Sequence, residues 1–311
     1  MKYQVFGYYY ENENPAKPVS LSKTIEATEY EEIKKCQDLC CLVLLFEERF
    51  QLALDNFHEW ETELLEQAHS ALLWNANDFS TSMQNRLKLD RRFVNLLSSL
   101  RLYLDQSDHN ISQICGDESK ELKEIKEFKN GLYDNHFGFR LLEALRNHVQ
   151  HSSLPLSAIS YGSRRVESKD GFYVQFFVAP KISQEELSEN KKFNKRVLKE
   201  LGNQKDYSDL RLAAREYIYC LTLLHIQIRG TLREHFSKLR EGYESAIQRH
   251  SIFGGHKVKH IRMNAVDDAG RTLSQVQLVD EFLKLHDVLY SRNSKVIDIR
   301  RSFASSALGK V

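Results

Sequence analysis

The sequence predicts a mainly α protein, a bundle of long helices with one small β-hairpin inserted. Three observations carry that expectation. Only 4 Pro and 13 Gly punctuate the chain, so helices run long and the few breakers mark the joints. Apolar residues recur at three and four over wide windows, the spacing that gathers them on one side of a helix. A single stretch, after Pro155, exchanges that rhythm for a cluster of β-branched and aromatic residues.

The opening YQVFGYYY reads as an edge strand or a packed tail, followed by a loop through ENENPAKPVS, so residues 1–22 form an N-terminal extension. From Lys23 to Asn75 there is neither Pro nor Gly. Ile33, Cys36, Leu39, Cys40, Val43, Leu44, Phe50, Leu54, Phe57, Leu64, Leu65, Ala68 and Leu72 keep helical spacing there, which predicts one very long helix or two end to end. Asn77, Asp78 and Ser80 offer N-caps for the next helix, Thr81 to Asp105, with Leu89, Phe93, Leu96, Leu97, Leu100 and Leu104 as its buried stripe. Its other side carries Arg86, Lys88, Arg91, Arg92 and Arg101, a solvated face or a rail for phosphates. The charged run Asp117 to Asn130 reads as a short exposed helix held by Glu and Lys pairs. A further helix begins near Asp134, which caps it. It stops by Leu154, because the residue before Pro155 is driven out of the helical region.

SAISYGSRRV (Ser157 to Val166) and GFYVQFFVA (Gly171 to Ala179) flank ESKDG, which predicts a β-hairpin inside an insertion over residues 156–183. Helical spacing resumes over Gln184 to Leu201, Ser208 to Gln248 and Leu273 to Tyr290, with Gly230 a point of bending. Residues 184–292 then complete or flank a core spanning residues 23–155, and residues 293–311 form a basic tail.

Composition narrows the function classes. Formal net charge is +1, from 44 Lys+Arg against 43 Asp+Glu, so no global field draws the chain to nucleic acid or an anionic membrane, and any RNA contact must be local. The longest apolar run, Leu39 to Phe46, is too short to span a bilayer, and MKYQVFGYYYENE lacks the layout of a signal peptide. A cytoplasmic location with no membrane partner is expected. Five Cys without regular spacing make a poor disulfide framework, and Cys36, Cys40 and Cys41 read as small core residues. His256 and His260 have a ligand-like separation without a carboxylate or thiol close by; no metal and no cofactor are expected.

The most informative stretch is FGFRLLEALRNHVQH, Phe137 to His151. As a helix it gathers Phe137, Leu141, Leu142, Leu145 and Val149 within an arc of about 140° at about 100° per residue. Arg140, Glu143, Arg146, Asn147, Gln150 and His151 fall on the opposite side. Glu143, Asn147 and His151 follow at i, i+4, i+8, one ridge, with Arg146 about a quarter turn away. Such a face suits holding a phosphate and moving a proton. Glu143 is expected to pair with Arg146, Arg140 or Asn147. His148, on the edge of the apolar stripe, reads as a packed histidine.

The run RNHVQH, Arg146 and His151 with four intervening residues and Asn147 directly after the Arg, resembles the motif of ribonucleases of the HEPN superfamily. The likeness extends over roughly residues 25–155. It implies a HEPN-type helical bundle and a metal-independent endoribonuclease in which His151 is general acid or base, Arg146 clamps the scissile phosphate and Asn147 orients the phosphate or the imidazole. Arg140, Glu143, Gln150, Arg86 and Arg92 are then expected to flank the RNA substrate. One histidine is short of an acid and base pair, so the resemblance implies a homodimer in which two such faces meet, leaving 2′,3′-cyclic phosphate and 5′-hydroxyl ends. It also implies a toxin or effector of microbial defence, silenced by an antitoxin or regulatory partner. The class-different reading is a non-catalytic helical module that binds a protein, a nucleotide or RNA with the same face. A helical DNA-binding regulator lacks both a helix-turn-helix signature and a basic excess.

Overall fold

The computed structural model describes residues 1–10, 18–74, 78–168, 171–296, 298–300, 302 and 304. Residues 11–17, read as part of a loop, the cap read at Asn77, Lys169 and Asp170 of the turn read in ESKDG and most of the basic tail lie outside the described residues. In chain order the elements are β1 (Lys2–Tyr10), β2 (Pro18–Ile25), α1 (Ala27–Trp74), α2 (Phe79–Cys115), α3 (Lys120–Asn135), α4 (Phe137–His151), β3 (Ala158–Ser168) and β4 (Gly171–Lys181). Then follow α5 (Gln184–Glu189), α6 (Lys195–Asn203), α7 (Leu210–His250), β5 (Ile252–Phe253), β6 (His256–Lys257), β7 (Lys259–Val266), β8 (Thr272–Gln277) and α8 (Glu281–Asn293). The chain is mainly α. No helix among the described residues is long and apolar enough to cross a membrane.

The long breaker-free stretch is a single helix, α1. Asp78 caps α2, accepting from the Thr81 backbone N–H at 2.9 Å and from the Thr81 hydroxyl at 2.6 Å. The charged run continues as α3 to Asn135, so Asp134 lies inside that helix and α4 begins at Phe137, three residues after the carboxylate expected to cap it.

The described chain divides into two compact units. One comprises residues 1–48, 110–119 and 229–294, the other residues 49–109, 120–228 and 295–311.

In the first unit a four-stranded antiparallel sheet has the order β2-β1-β7-β8. β1 is therefore an inner strand, not an edge. Residues read as loop and helix between Lys259 and Gln277 are β7 and β8. One face of the sheet carries Val5, Ile25, Met263, Ala265 and Val276 into a core with Tyr30, Ile33, Tyr243 and Leu283 from α1, α7 and α8.

In the second unit the buried side chains of α2, among them Leu89, Phe93, Leu96 and Leu100, share a helical core with Phe50, Trp60, Leu141, Leu145, Tyr217 and Leu221. His225 stacks on Phe50 at 4.1 Å between ring centres, and its Nδ1 lies 2.9 Å from the Tyr103 hydroxyl. The predicted hairpin is present as β3 and β4, paired from Ala158 opposite Lys181 to Ser168 opposite Gly171.

Candidate functional site

The short helix α4 carries the residues singled out by sequence. No side chain of its own caps its start; the Glu216 carboxylate of α7 does so instead. Glu216 Oε2 accepts from the Gly138 N–H at 2.6 Å and from the Tyr207 hydroxyl at 2.8 Å, and Oε1 lies 3.0 Å from His136 Nδ1. An anion at a helix start complements the helix dipole. A Cβ on Gly138 would stand 2.6 Å from Glu216 Oε2 and 3.0 Å from the Ala213 carbonyl, so only glycine allows this approach.

The far end of α4 is fixed as firmly. The Ser152 N–H donates to the His148 carbonyl at 2.8 Å. His148 is 5% exposed, edge-on to Phe193, and burial holds its imidazole below the usual histidine range. Asn190 Nδ2 donates to His148 Nδ1 at 2.9 Å, which leaves the proton on Nε2, where it is shared with Ser153 Oγ at 2.8 Å. Beyond Pro155, the Leu156 N–H donates to Asp90 Oδ1 at 3.0 Å. Asp90 is 1% exposed, and burial raises its pKa against the pull of that bond and of Arg86. A charged residue flanking the α2 apolar stripe was the sequence signal for this anchor.

Between these fixed ends the predicted residues separate into two groups. Arg146, Asn147, Gln150 and His151 stay together on the accessible side of α4, Arg146 half-buried and the other three exposed. Arg146 Nη1 donates to Asn147 Oδ1 at 3.1 Å, and among the described residues no carboxylate forms an ion pair with Arg146. The remaining residues expected to flank a substrate are paired within the chain, Arg140 and Glu143 in its interior and Arg86 and Arg92 nearer the surface. Arg140 is 7% exposed. Its Nε and Nη2 donate to Glu200 Oε2 at 3.1 and 2.7 Å, and its Nη1 donates to the Tyr133 and Asp134 carbonyls at 2.6 Å each. It thereby caps the last turn of α3 and ties it to α6. Glu143 turns to neither Arg140, Arg146 nor Asn147; it accepts from Arg101 at 2.8 Å and from the Tyr217 hydroxyl at 2.6 Å. Arg86 faces Asp90 at 3.6 Å and Arg92 pairs with Glu59. Lys88 and Arg91 on the same helix are exposed.

The physical reason is that α4 is covered on more than one side near its start, where α3, α6 and α7 converge, and only its last turns reach solvent on the polar face. The Arg101, Glu143 and Tyr217 network was not read from sequence; its partners lie 42 and 74 residues apart, beyond the reach of local spacing. It borders a cleft of about 290 Å³ whose charges satisfy one another, Lys129 with Asp108 and Arg101 with Asp105 and Glu143.

Chemically, the exposed end of α4 offers a guanidinium without a carboxylate partner, an amide bonded to it, and an imidazole on the next turn. A guanidinium beside an imidazole is a set able to hold an anion and to pass a proton. With His148 committed to packing, this face supplies one such imidazole. A thiol nucleophile is disfavoured at Cys40 and Cys220, whose pKa values burial pushes up to about 12. The hairpin cations are held locally, Arg164 by Gln175 at 2.7 Å and Arg165 by Glu167 at 2.7 Å and by the Phe172 ring. His256 stacks on Tyr9 with ring centres 3.8 Å apart. Among the described residues no group of three or more His, Cys, Asp or Glu side chains is placed to hold a metal ion.

Comparison of the chain with protein-family models, with curated proteins and with solved structures finds no match.

Proposed function

We propose that the protein is a metal-independent endoribonuclease of HEPN type, acting as a toxin or effector of microbial defence. The observation that carries this reading is the exposed end of α4, where Arg146, without a carboxylate partner, is bonded to Asn147 and precedes the exposed His151. Transesterification at phosphorus needs a base for the 2′-hydroxyl, an acid for the leaving 5′-oxygen and a cation for the charge that builds on the phosphorane. His151 serves as acid or base, Arg146 as the cation, and Asn147 holds the guanidinium or the phosphate in register.

A second imidazole comes from a second copy of the chain, so the active species is a homodimer with two α4 ends facing one scissile phosphate. Products carry 2′,3′-cyclic phosphate and 5′-hydroxyl ends. An antitoxin or other regulatory protein silences the site by covering this face.

The test is cleavage of total RNA by the purified chain, beside His151→Ala and Arg146→Ala. Each substitution is expected to reduce the rate by about 10²-fold or more, with end-group analysis giving the cyclic phosphate. Cleavage that survives His151→Ala rejects the reading. The presence of a single available histidine on α4 favours, as a second reading, a non-catalytic module that binds RNA or a protein through this face. Absence of cleavage by a chain that sediments as a dimer supports that alternative.

A further inference from the structure

We propose that the outer face of the four-stranded sheet is a platform for single-stranded RNA, a binding site separate from the α4 face and independent of whether that face is catalytic. The sheet has two unlike sides. Val5, Met263 and Val276 point into the core, so by strand alternation their neighbours point the other way. The register aligns these in rows across the sheet: Phe6 stands opposite Arg262, while Gln4 stands opposite Asn264, which in turn faces Gln275.

The chemistry of these rows is that of base recognition. Phe6 and Tyr8 are half-buried and project from one strand two residues apart, about 7 Å, giving two rings on which successive unpaired bases can stack. The Arg262 guanidinium donates to the Tyr8 hydroxyl at 2.9 Å and lies 5.7 Å from the centre of its ring. It has no carboxylate partner among the described residues, so it presents both charge and a plane at the edge of the aromatic pair. Gln4, Asn264 and Gln275 place amides beside it.

Charge points to the same occupant. None of the residues of β1, β2, β7 or β8 is Asp or Glu, in a chain that carries 43 such residues. The strands themselves thus carry Arg262 and Lys2 without acid, the complement of a polyanion, and the carboxylates of Asp267 and Asp268 lie beyond them in the turn after β7. The backbone carries a further mark. Between Phe6 and Tyr8 the register with β7 shifts, and His260, inside that bulge, has φ 51°. It is the one residue other than glycine with positive φ among the described residues. Bulges and such strained positions cluster where a sheet re-aims side chains for binding. Hydroxyls on the neighbouring β2, at Ser22 and Thr24, are exposed and can reach a 2′-hydroxyl, the group that separates RNA from DNA.

The experiment is fluorescence anisotropy with a 5′-labelled twelve-nucleotide oligouridine, using the full chain in a His151→Ala background so that cleavage neither contributes nor interferes. Wild-type sheet residues are expected to give saturable binding that weakens with salt, is tighter than for the same DNA strand, and is absent for duplex RNA. Arg262→Gln is expected to weaken it about tenfold. Because Arg262 also touches Tyr8, a second variant, Ser22→Glu with Gln275→Glu, alters only exposed positions. It is expected to abolish binding by placing carboxylates on this face, with an unchanged melting temperature. Absence of oligouridine binding, affinity unaffected by both variants, or tighter binding of DNA overturns the proposal. So does binding of an acidic peptide with none of RNA. Loss of RNA cleavage in an otherwise intact chain, with oligouridine binding retained, bears on the α4 site alone.

Discussion

Tyr217 is a large side chain buried on α7 whose hydroxyl has Glu143 as its acceptor, and burial beside that carboxylate drives its pKa far above the usual tyrosine range. The phenol is therefore a permanent donor, and with Arg101 it fixes Glu143 one turn before Asn147. Tyr217→Phe keeps the ring and removes the donor. It is expected to cost roughly 1–3 kcal/mol, read as a lower urea midpoint at unchanged slope; an unaltered midpoint contradicts the role assigned to the bond. At this scale the exposed part of the site was legible in the sequence, because Asn147, Gln150 and His151 are exposed where helical spacing put them opposite the apolar stripe. Arg140 was not. Spacing places it on the same polar side, yet Glu200, 60 residues away, and two carbonyls at the end of α3 draw it inward. A guanidinium goes where its acceptors are, and those acceptors come from tertiary structure.

Among the elements, α4 is held most closely at its start, where Gly138 brings it against Glu216 and the Ala213 carbonyl. Gly138→Ala is expected to destabilise the chain by about 1–3 kcal/mol despite alanine's better helix propensity, because the added methyl forces the two helices apart. At the other end, Asp90→Ala strands the Leu156 N–H in the interior and should cost roughly 1–3 kcal/mol, whereas Asp90→Asn retains an acceptor and should cost less. Equal losses from the two Asp90 variants, measured by denaturant unfolding, contradict this account. The long helices α1 and α7 were legible because dozens of residues repeat one period without a breaker. The sheet strands were not. KHIRMNAV and TLSQVQ each alternate faces over only eight and six residues, and the apolar spacing of Val276, Val279 and Leu283 imitates a helix running through the second strand. β8 pairs with β7 nearby, but the other partner of β7 is β1, more than 250 residues earlier, and no local window contains that information. The turn at Asp267 to Gly270, in which Asp267 accepts from the backbone of Ala269 and Arg271, was the one local clue.

For the whole molecule, acid is the revealing variable. His148, His250 and His286 are buried, and in each burial is the leading cause of a pKa below 6.5. All three take up protons less readily when folded than when unfolded. Stability is therefore complete above about pH 6.5 and declines as pH falls from there toward their folded values. The urea midpoint is expected to drop between pH 7.5 and 5.5, and His148→Gln should flatten part of that drop; parallel curves for the two proteins contradict the assignment. The sheet adds a constraint of another kind. β1 and β2 are translated well before β7, the strand that hydrogen-bonds the open side of β1. During that interval the hairpin carries an uncovered, aromatic-rich flank able to recruit the same hairpin on a neighbouring nascent chain. Translation that halts before Lys259 should therefore yield aggregates seeded at β1, and a synthetic β7–β8 peptide supplied in trans should suppress them.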